Sequence, residues 1–266
     1  SFRVDNNGQT RVRTIIQVPL AFLEPAGNAL SYQVSVKVSD QAGVALYQQE
    51  WPSRAPAGMR TSGAYSIDML EFNVAPGTYN LTVAVKDSVS GKQLESTVPV
   101  EAYGTRPYAS DLMLASAMRT ADPQDSVPRP GEMRRGNTLF APAAQLRLNT
   151  LRTEAFYILE AYNEGAEQNG TMAVAVVDAN GQTVFQTQPA AVRVAAGGGM
   201  LKGRVDLDGL PPGTYTFKLL LTMGGRTAER TATLMMAPLE ETLQRDVARI
   251  ESEKVTDEGY FQYMDV

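Results

Sequence analysis

The stretch that decides the fold is a turn and a strand, Ala75-Pro76-Gly77-Thr78-Tyr79-Asn80-Leu81-Thr82-Val83-Ala84-Val85, and it recurs as Leu210-Pro211-Pro212-Gly213-Thr214-Tyr215-Thr216-Phe217-Lys218-Leu219-Leu220-Leu221. Proline presets φ and glycine tolerates positive φ, so Pro-Gly favours a tight turn. After each turn, apolar residues occupy every second position, starting with the tyrosine. This period of two is typical of a strand with one buried face. The chain therefore has the same turn and strand twice.

A second pair of segments supports a duplication of the whole domain. Met172, Val174, Val176 and Asp178 follow Val34, Val36, Val38 and Asp40 at an offset of 138 residues, and Gly213 follows Gly77 at an offset of 136. An offset that stays nearly constant across several turns is not expected from a shared dipeptide. We interpret the chain as two copies of one β domain.

Each copy has about seven short strands, with turn residues every 8–12 positions and no helical period, as in immunoglobulin-like or fibronectin III-like sandwiches. The sequence predicts an all-β fold of two tandem β-sandwiches of this type, with a long irregular linker and a short C-terminal helix. The predicted regions are a leader (1–11), the first sandwich (12–102), a linker or strap (103–147), the second sandwich (148–237) and an acidic helical tail with an aromatic end (238–266). By analogy with such folds, Tyr79 and Tyr215 are predicted to be structural, and Gly77 and Gly213 to form the turns.

The linker is a candidate binding segment. Its centre, from Ala121 to Gly131, is rich in proline and is not expected to hold regular structure. Two interpretations stay open: a strap that packs along both sandwiches, or a segment that docks on a partner. The partner-binding candidates are Met113, Leu114, Met118, Arg129, Arg134 and Arg135.

The tail after Pro238 changes pattern. Leu239, Leu243, Val247 and Ile250 form a helical stripe, which predicts a helix over about 239–254. The last residues are aromatic and either fold back on the domain or bind a partner. The candidates there are Tyr260, Phe261, Tyr263 and Met264.

Composition excludes several classes of site. The 266 residues contain no cysteine and no histidine, so thiolate or histidine metal sites and Ser-His-Asp or Cys-His catalysis are excluded. The formal charge is −5, and the segment from Pro238 onward contributes all of it, with eight acidic and three basic residues. A neutral body with an acidic tail argues against nucleic-acid binding. The sequence contains no run of 18 apolar residues, so it predicts no membrane-spanning helix. We also expect no cofactor and no enzymatic activity.

Weaker patterns have ordinary structural interpretations. Ala196–Met200 is glycine-rich but predicts a hairpin, since no helix follows it to cradle a phosphate. Asp178, Asp206 and Asp208 suggest calcium only weakly, because aspartate also serves turns. Trp51 is predicted to pack in or beside the core rather than to stack on a sugar.

The order of several segments resembles a known family. These are Ile16-Gln17-Val18-Pro19, the Pro76-Gly77-Thr78-Tyr79 strand, Ser110-Asp111-Leu112-Met113-Leu114-Ala115, and the ending Asp257-Glu258-Gly259-Tyr260-Phe261-Gln262-Tyr263-Met264-Asp265. They resemble exported proteins of Gemmatimonas-type bacteria in the family named for a Gly-Trp-x-Thr-Asp motif, although the motif itself is absent here. The chain is also similar to periplasmic accessory subunits of photosynthetic reaction-centre complexes of such bacteria. The resemblance implies a periplasmic location and protein partners in a membrane complex, and it carries over no catalytic residue.

The leading hypothesis is therefore a non-enzymatic extracytoplasmic interaction subunit that docks on a larger membrane-associated complex. The alternative is a β-sandwich module that binds a carbohydrate or a peptide, with Trp51, Tyr47 and Tyr65 as stacking residues. A hydrolase that uses a pair of carboxylates is a third, weaker hypothesis.

Overall fold

The structure, a computed structural model, describes residues 2–60, 64–122, 124–129 and 131–238, and these residues are almost entirely β. The first eight strands are β1 (Phe2–Asn6), β2 (Gln9–Pro19), β3 (Pro25–Ala26), β4 (Ala29–Ser39), β5 (Ala45–Pro56), β6 (Tyr65–Val74), β7 (Gly77–Asp87) and β8 (Gln93–Ala102). They are followed by β9 (Met113–Thr120), β10 (Met133–Arg135), β11 (Thr138–Ala143), β12 (Leu146–Leu148), β13 (Glu154–Ala161), β14 (Gln168–Val177), β15 (Thr183–Gln186), β16 (Ala190–Val194), β17 (Gly199–Asp206), β18 (Gly213–Met223) and β19 (Arg226–Met236). Two short 3-10 helices, Leu20–Phe22 and Ala57–Met59, interrupt the strands. The predicted all-β class is confirmed; the predicted tail helix lies outside the described residues.

The described residues form two compact units. Unit 1 consists of residues 2–15 with Met69–Gly77 and Ala102–Pro238, and unit 2 consists of the described residues of Ile16–Asp68 and Thr78–Glu101. The predicted domain boundaries do not coincide with these units, because the described residues of the leader and of the linker both belong to unit 1.

Unit 2 is built on a sheet of order β3-β4-β7-β8, in which β5 also pairs with β4. Strand β4 is central. Its alternate residues Tyr32, Val34, Val36 and Val38 are fully buried, and the residues between them are polar. The predicted strand from Tyr32 to Ser39 is confirmed, and burial of one face explains its period of two.

Unit 1 contains two larger sheets. One has the order β10-β11-β9-β13-β17, and the other has the order β12-β19-β18-β14-β15, with β16 paired to β14. Tyr157 and Leu159 from the first sheet share one buried cluster with Phe217, Leu219 and Leu221 from the second. The two sheets therefore enclose a common core, as the sheets of a sandwich do.

The strand pairing repeats between the units. Val36 of β4 lies opposite Val83 of β7, and Val174 of β14 lies opposite Leu219 of β18. These are the residues that the offsets of 138 and 136 make equivalent. Both copies also carry an irregularity at the same place, after Val38 and after Val176. The duplicated pattern thus places equivalent residues in the same register.

The turn after each of these strands is also the same. Asp40 Oδ1 accepts the backbone N–H groups of Ala42 and Val44, both at 2.9 Å. Asp178 Oδ1 accepts those of residues 180 and 182, at 2.9 and 2.8 Å. A glycine with a φ of 82° or 81° completes each turn. These carboxylates therefore serve as turn acceptors, which is the ordinary role of aspartate at such positions.

The predicted loose leader is wrong for β1. Phe2 and Val4 are 5% and 1% exposed and belong to a buried cluster with Met113, Phe140 and Ile158. Strand β1 pairs antiparallel with β2, so its backbone is also satisfied. Phe2 and Val4 alternate with Arg3 and Asp5. The alternation is short and polar residues follow it, so the sequence did not indicate a strand.

The predicted irregular linker is wrong for residues of β9 to β12. Strand β9 pairs with both β11 and β13, which makes it an inner strand of a five-stranded sheet. Burial of the apolar run Met113–Ala115 stabilises this pairing. The described residues between β9 and β10 (121–122, 124–129 and 131–132) form no strand or helix, as the proline-rich composition predicts.

Candidate functional site

A polar groove of about 480 Å³ lies on unit 1, and we call it the Arg226 groove. Three separate segments line it: Arg106–Tyr108, Tyr162–Glu164 with Gln168, and Met223–Thr227 without residue 225. Its volume lies within the range of small-molecule sites. Sequence reasoning missed the groove because no local motif unites segments that are more than fifty residues apart.

Arg226 is positioned by a tight hairpin. Strands β18 and β19 are joined by Gly224 and Gly225, which have φ values of 57° and 73°. A two-residue loop with both φ values positive is the turn that matches the twist of a hairpin. The guanidinium of Arg226 lies 5.8 Å from the centre of the Tyr108 ring. Tyr108 is itself anchored, because its hydroxyl donates to the carbonyl oxygen of Met223.

Arg106, which also lines the groove, is held by three contacts. Its guanidinium contacts the carboxylate of Asp5 at 3.3 Å and donates to the carbonyl oxygen of Gly197 at 2.9 Å. It also lies 5.0 Å from the centre of the Tyr162 ring. The hydroxyl oxygen of Tyr162 accepts the backbone N–H of Asp5 at 2.8 Å, and burial raises the pKa of this phenol. Arg106 therefore holds the wall of the groove together.

The edge strand β5 is the second candidate surface, and we call it the β5 edge (Val44–Pro56). Strand β5 itself is twelve residues long, and among the described strands it pairs with β4 alone. Only Ala55 is buried, whereas Val44 and Leu46 are 58% and 54% exposed. A long exposed edge with apolar side chains is a template for pairing with another chain.

Trp51 on the β5 edge has a structural contact. Its indole N–H donates to Asp68 Oδ1 at 3.0 Å, and Ser53 Oγ donates to the same oxygen at 2.8 Å. Tyr32 Oη lies 2.9 Å from Asp68 Oδ2, and burial raises the pKa of Tyr32 to about 12. The half-buried indole thus anchors β5 to β6, in line with the packing interpretation of Trp51.

The apolar partner-binding candidates of the linker lie in or against the core of unit 1. Met113 and Leu114 are buried, and Met118 is half-buried against the same cluster as Phe2. The apolar excess that suggested a docking segment is thus accounted for by the core of unit 1.

The predicted basic residues are bound within unit 1: Arg129 lies in the loop between β9 and β10, and Arg135 reaches across to β13. Arg129 forms an ion pair with Asp125 at 2.8 Å, Arg134 donates to the carbonyl oxygen of Gly136 at 3.0 Å, and Arg135 pairs with Glu160.

The same loop is held by an arginine that the sequence analysis did not select. Arg119 forms two hydrogen bonds with Glu132, at 2.9 and 2.7 Å, and donates to the carbonyl oxygens of residues 125 and 127. The hydrogen bonds from Arg119, with one from the backbone of Arg129, lower the pKa of Glu132 to about 2.

The partner-binding candidates of the tail, Tyr260, Phe261, Tyr263 and Met264, lie outside the described residues.

Both predicted structural tyrosines are buried, whereas the two glycines differ. The Tyr215 hydroxyl donates to the carbonyl oxygen of Pro211 at 2.8 Å, four residues upstream, which is the bond of a tyrosine corner. Tyr79 is likewise buried. Gly77 has a φ of 152°, which favours glycine, whereas a Cβ at Gly213 would make only ordinary contacts at 3.6 Å.

The described ranges contain neither a metal site nor a membrane-spanning helix. They contain no group of three or more acidic side chains placed to hold a metal ion. Asp206, one of the calcium candidates, accepts hydrogen bonds from Thr153 Oγ1 at 2.5 Å and from the backbone of Asp208 at 3.2 Å. In the same part of the chain, no helix is long and apolar enough to cross a membrane.

Comparisons with known proteins give no family. No family model matches the chain, and no curated protein matches it either. Among solved structures, a β-D-glucuronidase of Dictyoglomus thermophilum is similar at 11% identity with a TM-score of 0.24. The similarity covers 86% of this chain and 36% of that one, so this chain spans about a third of that protein. A likeness at this level is too weak to bear on fold or activity.

Proposed function

We propose that this protein is a non-enzymatic, extracytoplasmic interaction subunit that docks on a larger membrane-associated complex, of the reaction-centre kind that the family resemblance implies. Its two units are immunoglobulin-like or fibronectin III-like sandwiches, which serve as rigid supports for a binding edge. The observation that carries the proposal is the β5 edge, where no described strand pairs with the outer side of a twelve-residue strand.

The equivalent edge of the other copy is blunted. There the strand is broken into β15 and β16, of four and five residues. At the break, the Thr187 hydroxyl accepts the N–H of Val174 at 2.9 Å, in place of a backbone carbonyl. Short edge strands are one way in which proteins avoid unwanted pairing. Only the first copy keeps a long edge, although the central strands of both copies share one register.

The chemistry of the β5 edge suits an extended peptide segment of another protein. Backbone hydrogen bonds would provide affinity, and side chains at alternate positions would provide specificity. Leu46 is about half exposed, so covering it would contribute about 1 kcal/mol, or about a fivefold change in Kd. No contact of Trp51 favours a sugar ligand, since its indole N–H is already bound to Asp68.

The test compares two matched substitutions. Leu46→Lys places a charge on the β5 edge, and Val184→Lys places one at the equivalent position of the other copy, where the valine is also exposed. Each variant carries a photocrosslinker at residue 48, and crosslinked products are quantified in native membranes. We expect Leu46→Lys to reduce crosslinking at least fivefold and Val184→Lys to leave it unchanged.

Three outcomes would contradict the proposal. They are the absence of any crosslinked product, an equal loss in both variants, and a protein that behaves as a lone monomer in the solubilised membranes. Thermal melting of both variants controls for folding, since an exposed substitution is expected to change stability little.

A further inference from the structure

No carboxylate among the residues that the structure describes pairs with Arg226 in the Arg226 groove. Arg226 is exposed and makes no ion pair with any residue that the structure describes, although its guanidinium is held over the Tyr108 ring. Arg106, which also lines the groove, is bound to Asp5 and Gly197. The guanidinium of Arg106 is therefore bound to the protein, whereas that of Arg226 is exposed to solvent.

The hairpin and the ring restrict the position of Arg226 before any ligand arrives. The Gly224-Gly225 turn sets the direction of the strand end, and the cation–π contact holds the guanidinium plane near one wall. A planar guanidinium binds a carboxylate through two parallel hydrogen bonds, and a restricted side chain loses less entropy on binding. This arrangement suits an anionic group such as a carboxylate better than a neutral group.

The rest of the rim offers groups for a second function on the same ligand. Gln168 reaches the turn, because its Oε1 lies 3.1 Å from the place where a Cβ of Gly224 would stand. Glu164 is exposed on the rim and can accept a hydrogen bond from a hydroxyl or amino group. Stacking is not available at Tyr162, which is buried, and the Tyr108 ring is already covered by Arg226.

We propose that the Arg226 groove binds a small organic carboxylate that also carries a hydroxyl or amino group, with Arg226 taking the carboxylate and Glu164 with Gln168 taking the second group. This site is independent of the β5 edge, which lies in unit 2. A volume of about 480 Å³ leaves room for a ligand larger than a simple dicarboxylic acid.

The test uses the full chain and three probes of nearly equal size. L-malate has the carboxylates and a hydroxyl, succinate lacks the hydroxyl, and malamide lacks the charge. Binding is followed by NMR through the Nε–Hε signal of Arg226, up to tens of millimolar, which covers the weak end of specific binding. We expect saturable shifts with malate, weaker ones with succinate and none with malamide.

Variants separate a built site from general attraction of anions. Arg226→Gln should weaken malate binding about tenfold or more, and Arg226→Lys should weaken it less. The control is Arg193→Gln, which removes an exposed arginine of the same unit that pairs with Glu167 at 3.2 Å. Because the Arg226 variants lack the Nε–Hε signal, binding in every variant is followed through the backbone amide signals of Gly224 and Gly225. Binding should be unchanged in the Arg193→Gln control. The proposal is overturned if no probe gives saturable shifts, if malamide binds as well as malate, or if both glutamine variants weaken binding equally.

Discussion

Replacing Gly203 by alanine should destabilise unit 1, although alanine is normally the better residue in a strand. Gly203 lies directly opposite Tyr157 in the pairing of β13 with β17. The Tyr157 ring covers the glycine, so an added Cβ would stand 2.5 Å from Cζ and closer still to the hydroxyl oxygen. No real Cβ tolerates such a distance, so the ring must move.

The ring has little room to move. Tyr157 is 7% exposed and packs against Phe217, with ring centres 5.9 Å apart. Overpacking of this kind costs typically 1–3 kcal/mol, and the alanine gains back about 0.5–1 kcal/mol through lower entropy of the unfolded chain. We expect a net loss of about 1 kcal/mol, or a Tm lower by about 2–4 °C for a unit of this size.

The assay is urea denaturation, with Gly199→Ala as the matched control. Gly199 belongs to the same strand, and nothing lies within 4 Å of its notional Cβ. The control should therefore be neutral or slightly stabilising. Combining Gly203→Ala with Tyr157→Leu, which removes the ring, should show a coupling of about 1 kcal/mol or more. Equal stability of the two alanine variants would refute the packing of the ring over Gly203.

Three further predictions concern stability. Tyr215→Phe should cost about 1 kcal/mol in denaturation, because the carbonyl of Pro211 loses its donor; no change would show that the corner bond is not needed. Phe2→Ala should cost about 3 kcal/mol by the same assay, and a loss under about 1 kcal/mol would contradict burial of β1. The pKa of Glu132 is lowered by Arg119, so its contribution is complete above about pH 4.5 and is lost as the pH falls toward about 2. Glu132→Gln should therefore be less stable than the parent at pH 7 and equal to it near pH 2, as measured by melting curves, and an equal difference at both pH values would contradict this pairing.

The repeated register was predictable from sequence because it depends on local patterns. Val34, Val36 and Val38 alternate with polar residues, and Asp40 with Gly43 marks the turn. Burial of one face and the chemistry of the turn then determine which residues pair. The equivalent positions of the second copy follow from a constant offset alone.

The environment of the linker was not predictable in the same way. The run Met113–Ala115 has no polar residue between its apolar ones, so its period does not distinguish a strand from a helical turn. Its burial depends on pairing with β11 and β13, which lie further along the chain. The partner-binding role of the arginines was inferred from charge alone, which does not show that Arg129 and Arg135 each meet a carboxylate.

The two candidate surfaces also differ in how far the sequence could predict them. The β5 edge is continuous in sequence, yet its exposure follows from its place at the side of a sheet. The Arg226 groove joins residues 106, 162 and 226, and only the folded chain brings these residues together.

The buried position of β1 has a consequence for the order in which the chain folds. Phe2 and Val4 pack against Met113, Phe140 and Ile158, so β1 cannot be buried in this cluster until Ile158 has been made. At ordinary rates of synthesis this delay is on the order of 10 s. During that time an apolar strand with an unpaired edge is open to chaperones, to proteases and to other nascent chains. Unit 2, whose described residues end at Glu101, can be complete before this delay is over.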